Sequence, residues 1–293
     1  MGAPNGILDV KQTGKTKAQP DEGATDGGVH RNHASYFVPG LQRGLRVLEI
    51  VAAAGRPMAV AEISAELGLT RSSVFRLIYT LRHMGFLHET ENSRLVTLGP
   101  RVLNIGFAYL ASKDIIELAQ PELEMLRDRT GVSAHLAIRD ERDVLYLSCV
   151  QTRLGFLSNM NVGTRLPAYA APMGWLLLGD LSLSELNRLF GTGALRQLTA
   201  QTPPDIAALA ARISDSLARG HVISRGMIEP GGSSISAPVH DKSGEVTAAI
   251  DISGPDSAFD LAEMDGRYLR EVIAAAQRLS AKLGYRGSQL QAG

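Results

Sequence analysis

Residues 59–84, AVAEISAELGLTRSSVFRLIYTLRHM, place the tightest constraint on the fold of this chain. Val60, Ile63 and Leu67 recur at helical spacing. Gly68 interrupts, and Val74, Leu77, Ile78 and Leu81 resume the same period. Gly68 suits the left-handed residue that ends a helix, and Thr70 carries the side-chain oxygen that an N-cap requires. A short helix, a glycine turn and a longer helix are therefore expected. With the aliphatic side of the longer helix turned inward, Ser72, Ser73 and Arg76 turn outward, and Arg71 joins them in its first turn. This is the layout of a helix-turn-helix, whose second helix lies in the major groove of DNA.

The flanks extend the motif. Leu41, Leu45, Leu48 and Ala52 define one face of a preceding helix, which Gly55 and Pro57 end. After Gly85, Phe86–Thr90 and Arg94–Leu98 read as two short strands around the polar turn Glu91–Ser93, a wing. Between residues 37 and 112 the bases Arg43, Arg46, Arg56, Arg71, Arg76, Arg82, Arg94 and Arg101 outnumber the acids Glu49, Glu62, Glu66, Glu89 and Glu91. No acid falls between Glu66 and Glu89, so a basic stripe crosses the second helix. Arginine can grip guanine with two hydrogen bonds, and a serine hydroxyl can donate or accept. Phe75 either lies against a thymine methyl or packs at the wing. Arg43 and Arg94 are either phosphate clamps or plain surface arginines, and the whole polar face has the alternative of being merely solvated.

A chain of 293 residues implies about two domains, and its 44% hydrophobic content supplies two cores. Residues 1–36 hold hardly any large apolar side chain and read as a disordered leader; its lysines Lys11, Lys15 and Lys17 are offset by Asp9, Asp21, Glu22 and Asp26. The boundaries expected are a winged helix over 37–98, a linker helix over 99–113, an α+β domain over 114–285 and a flexible tail over 286–293. In the larger domain helices are expected at Ile115–Thr130, Ala170–Leu178, Ser184–Phe190, Asp205–Ala218 and, closing the chain, Phe259–Leu283. Strands are expected at Val132–Ile138, Val144–Val150, Val222–Ile223, Ser234–Val239 and Val246–Ser253, with another extended segment at 154–162. The absence of a βαβ rhythm argues for an antiparallel sheet.

Several chemistries find no support. Formal net charge is zero, so any nucleic-acid surface must be local. Cys149 is the only cysteine, which excludes an intrachain disulfide and a multi-cysteine zinc site and fits a reducing cytoplasm. No run of 18 apolar residues suggests a membrane span. There is no G-x-S-x-G, H-E-x-x-H, P-loop or helix-opening G-x-G-x-x-G, and no cofactor is expected. His135, His221 and His240 read as isolated histidines, structural or exposed, and Cys149 as a buried small residue.

The runs LQRGLRVLEIVAA, AEISAELGLTRSSVFRLIYTL and RLVTLGPRVLNIG, followed by VGTRLPAYAAPMGWLLL, GSSISAPV and GEVTAAIDISGP, strongly resemble the IclR family of bacterial transcription regulators over residues 38–285. The resemblance implies a winged helix-turn-helix that binds DNA, with Arg43, Thr70, Arg71, Ser72, Ser73, Phe75, Arg76 and Arg94 as the candidate contacts. It implies a connecting helix and a C-terminal GAF/PAS-like antiparallel-sheet domain that binds a small organic or aromatic acid. It also implies a homodimer or tetramer on a two-fold operator, with RNA polymerase as a further partner, in the cytoplasm. The VG-x-RLPAY form resembles the branch that controls aromatic-acid and β-ketoadipate degradation.

By the same resemblance the effector site is lined by the segment around Ala168, Tyr169 and Met173, by Ser233 and Ser234, and by Asp251 and Ser253; Gly163 allows close backbone approach, and Asn159 and Met160 are candidates for one wall. The residue types fit, because uncharged hydroxyls can bond a carboxylate and Tyr169 can stack on a ring. The alternatives are local backbone bonding for Ser233 and Ser234, and a core position with a satisfied hydroxyl for Tyr169. Two positions depart from the family pattern: Ser234 stands where many members have Cys, and Asp251 where many have Ser. A carboxylate facing the pocket would repel an anion unless paired, with Arg165 or Arg225 as candidates, or would select a hydroxylated or protonated group. The competing reading of the chain is a small-molecule-processing enzyme with an accessory winged-helix module.

Overall fold

The computed structural model describes residues 36–90, 93–111, 114–152 and 160–287. Residues 1–35 of the expected leader, Asn159, Glu91, most of the segment 154–162 and the last six residues of the expected tail lie outside the described residues. The chain divides into two compact units at Val102/Leu103.

The first unit carries α1 (Pro39–Ala54), α2 (Val60–Leu67), α3 (Arg71–His83) and a hairpin of β1 (Leu87–Glu89) and β2 (Val96–Leu98). Gly68 adopts φ 62°, ψ 29°, a backbone conformation that side chains with a Cβ resist, and so turns the chain from α2 to α3. Thr70 Oγ1 then accepts the Ser73 amide at 3.3 Å as the N-cap of α3. Val47, Val51, Ile63, Val74, Ile78, Leu87 and Val96 fill the core. Each such burial contributes about 1.5–3 kcal/mol, so the rotation of α3 about its axis is fixed. Met58 pairs with Val96 through both backbone hydrogen bonds and ties the segment before α2 to the wing.

One face was misassigned by the sequence pattern. In α1 the packed residues are Val47 and Val51, whereas Leu41 and Leu45 are 63% and 53% exposed. Of the leucine pattern only Leu48 packs against this core; Leu41 and Leu45 lie on a second apolar stripe that stays exposed within the unit.

The second unit begins within α4 (Arg101–Ala111) and continues through α5 (Asp114–Thr130), β3 (Ala134–Asp140), β4 (Asp143–Val150), β5 (Arg165–Pro167), α6 (Pro172–Leu177), α7 (Leu183–Phe190), α8 (Ile206–Arg219), β6 (Val222–Arg225), β7 (Gly232–His240), β8 (Val246–Pro255) and α9 (Leu269–Lys282). Six strands form one antiparallel sheet in the order β5-β4-β3-β8-β7-β6. Alternation along the strands sorts the two faces. Ala248, Ile250 and Ile252 of β8 join α5 and α9 in one core, and Ala249 joins α6 and α8 in the other. Asp251 and Ser253 share the face of Ala249.

The closing helix expected over Phe259–Leu283 is broken. Short 3₁₀ turns cover Asp256–Ala258 and Leu261–Glu263, a π turn covers Met264–Tyr268, and the α-helix starts at Leu269. Asp260 caps the second turn by accepting the Ala262 amide at 3.1 Å, and Gly266 leaves helical geometry at φ −97°, ψ −105°. Phe259 and Tyr268 are thereby brought edge to face, with ring centroids 5.4 Å apart, in the core. Strand β5 was not expected; three residues are too few for a periodic signal.

Candidate functional site

The outward face of α3 is polar and unobstructed within its unit. Arg71, Ser72, Ser73 and Arg76 are exposed, and Phe75 is 55% exposed, while Val74 and Ile78 are buried. Thr70 Oγ1 donates to Ser73 Oγ at 3.0 Å and lies 3.2 Å from Ser72 Oγ. The cap therefore also organises the hydroxyls at the helix start, the end that favours an anion. Arg82, at the other end, is engaged by Glu89 of β1. Arg43 is exposed on α1, and Arg94 is exposed in the wing with φ 52°.

The second unit holds a cavity of about 70 Å³ between the sheet and the start of α6, room for roughly five waters. Met160, Met173, Ser233, Ser234, Asp251 and Ser253 from the expected set line it. So do Tyr146, Pro172, Ser224, Met227, Ile228 and Glu229, which the sequence did not single out. Gly163, Ala168 and Tyr169 do not. Gly163 sits in the turn before β5. Ala168 is fully buried beneath α6, so close that a Cβ on Gly174 would stand 2.1 Å from its carbonyl oxygen. Tyr169 is a core aromatic: its hydroxyl donates to the Arg196 carbonyl at 3.0 Å and its ring meets Phe190 edge-on.

Strand pairing sets His135 of β3 directly opposite Asp251 of β8, and their side chains bond, Nδ1 to Oδ1, at 2.8 Å. Ser253 Oγ lies 3.3 Å from the same nitrogen, and the Tyr146 ring stands edge-on to the imidazole at 5.7 Å. Both groups are buried. The cations expected to offset Asp251 are elsewhere: Arg165 bonds Asp140 at 2.6 Å and Asp143 at 3.1 Å, and Arg225 bonds Asp256 at 2.9 Å. His135 looks isolated in the sequence because its partner lies 116 positions away, and only the strand order reveals it.

The serines are partly engaged. Ser233 Oγ donates to Asp256, whose carboxyl is held below its usual range first by that bond and then by Arg225. Ser234 and Ser224 hydroxyls bond each other at 2.9 Å. Burial, then the charges of Asp251 and Cys149, push the Tyr146 hydroxyl well above the usual phenol range, so it remains protonated. Among the described residues no cluster of three or more His, Cys, Asp or Glu could hold a metal ion, and no helix is long and apolar enough to cross a membrane.

A winged helix with an open basic face, joined in one chain to a sheet domain that encloses a small-molecule cavity, defines a ligand-responsive DNA-binding transcription regulator. The chain belongs to the IclR family: residues 40–91 match the IclR helix-turn-helix domain and residues 107–281 the bacterial transcriptional regulator IclR C-terminal domain. It is 32% identical to the Pca regulon regulatory protein of Pseudomonas putida, over 84% of each chain. The crystal structure of a transcriptional regulator from Rhodococcus sp. RHA1 superposes with TM-score 0.72 at 30% identity, covering 84% of this chain and 98% of that one. An IclR homolog from Microbacterium hydrocarbonoxydans, solved with 4-hydroxybenzoate, shares the fold with TM-score 0.70 at 21% identity, over 83% of this chain and 98% of that one.

Proposed function

We propose that this regulator acts in the cytoplasm as a homo-oligomer on a two-fold operator, controls catabolic genes, and is switched by a small organic acid, an aromatic one in the first instance. The observation that carries the DNA half is the sidedness of α3: hydroxyls and arginines outward, Val74 and Ile78 inward. Thr70, Arg71, Ser72, Ser73 and Arg76, with Phe75, are the base- and phosphate-contacting set, and Arg43 and Arg94 hold flanking phosphates. The exposed Leu41 and Leu45 of α1, and Leu103 and Ile105 of α4, supply apolar surface for subunit association. The connecting helix α4 carries the state of the cavity to the DNA-binding unit; a ligand shifts that equilibrium only by its differential affinity for the two arrangements.

The cavity supports the effector half, and the 4-hydroxybenzoate held by the Microbacterium homolog supplies a first compound to test. The experiment is footprinting of purified full-length protein on DNA upstream of its own gene, with and without aromatic acids. A protected site with two-fold symmetry, weakened by salt and altered by one of the acids, is expected. Failure to bind any such fragment at low salt would contradict the reading.

A further inference from the structure

We infer that the effector must present a hydrogen-bond donor, a hydroxyl or an ammonium group, to Asp251, and that compounds whose only polar group is a carboxylate are rejected. The inference rests on the reading of the cavity as the effector site. Asp251 is 3% exposed and lines the cavity. One of its carboxylate oxygens bonds His135; the other has no hydrogen-bond partner among the described residues. That oxygen faces the cavity, where water can satisfy it; a ligand that displaces the water without bringing a donor leaves the carboxylate oxygen unpaired at a cost, and a donor on the ligand removes that cost.

The surroundings sharpen the preference. The charged side chains among the described lining residues are Asp251 and Glu229, both acidic. Arg165 and Arg225 are held by other carboxylates. The neighbouring hydroxyls do not complete Asp251 either: Ser233 is engaged by Asp256, Ser234 by Ser224, and Ser253 lies against His135. Opposite Asp251 on β7, on the same face of the sheet, Ser236 is fully buried and its hydroxyl has no partner. The cavity-lining Asp251 thus stands beside a second under-satisfied polar group, on the adjacent strand and behind the cavity wall. A ligand carboxylate near Asp251 would meet like charge in a water-poor site; a hydroxyl or ammonium there meets an acceptor. An acid can bind only with its carboxylate turned away and a donor at the other end.

The test compares benzoate, 3-hydroxybenzoate, benzyl alcohol and benzylamine by calorimetry and thermal shift on the full-length protein, its Asp251→Ser and Asp251→Asn variants, and Ser234→Phe, which fills the cavity. At least one donor-bearing compound should bind about tenfold or more tighter than benzoate, as expected for a hydrogen bond to a charged group. Asp251→Ser should erase that preference, and the isosteric Asp251→Asn should reduce it should serine there prevent folding. Ser234→Phe should abolish binding. The inference is overturned if benzoate binds as tightly as every donor-bearing compound, if the preference survives in both Asp251 variants, or if none of the four binds. Undiminished binding to Ser234→Phe would instead remove the cavity reading itself, and the donor rule with it.

Discussion

Cys149 lies directly opposite His135 in the β3–β4 ladder, as Asp251 does in the β3–β8 ladder, so the three residues form a row across three strands. Burial first, and the Asp251 carboxylate second, push the Cys149 thiol up to about 12. A thiol with that pKa is almost entirely protonated at pH 8. Its alkylation by iodoacetamide should run on the order of a thousandfold slower than that of a free cysteine, and unfolding in denaturant should restore the normal rate. Native labelling as fast as a free thiol would contradict the arrangement. Asp251→Ser should accelerate labelling only partly, because burial is the larger cause. At this scale the sequence discloses residues whose meaning is local. Ser72, Ser73 and Arg76 follow from the helical period and Thr70 from capping chemistry. Long-range partnerships stay hidden: His135 with Asp251, and Tyr169 with the Arg196 carbonyl, depend on which strands and loops become neighbours.

Among the elements, α5 and α9 are held together by a charge cluster as well as by apolar packing. Glu122 of α5, 4% exposed, accepts from Arg278 at 2.7 Å and Lys282 at 2.9 Å. Burial alone would raise its pKa; the hydrogen bonds from Lys282 and Arg278 outweigh burial and leave it lowered. A lowered carboxylate pKa stabilises the fold above the unfolded-state pKa, and that contribution is lost as pH falls through the folded-state value. Glu122→Gln should therefore cost about 1–3 kcal/mol at pH 7, toward the low end because both cations can re-solvate. The gap from wild type should close in acid below the ordinary glutamate pKa. Thermal melts across pH check this; a gap that persists in acid would point to packing instead of charge. Regular elements were legible wherever the period ran long enough, as in α3, α5 and β8. The closing helix was not, because its apolar spacing continues through Asp260 and Gly266 although the backbone does not. The working face of α1 was hidden by a second apolar stripe.

For the molecule as a whole, balanced overall charge leaves DNA attraction to one local surface, which makes the central claim unusually open to a single-residue test. If α3 reads bases, specificity resides there, whereas the nonspecific attraction is spread over several arginines. The decisive measurement is the ratio of affinities of full-length protein for its own upstream DNA and for a shuffled duplex of equal length, at fixed salt, in wild type and Arg76→Ala. A loss of about 1–3 kcal/mol in that ratio is expected, with folding intact and shuffled-duplex binding changed much less. An unchanged ratio, or equal weakening on both duplexes, would contradict the claim that this face of α3 reads the sequence.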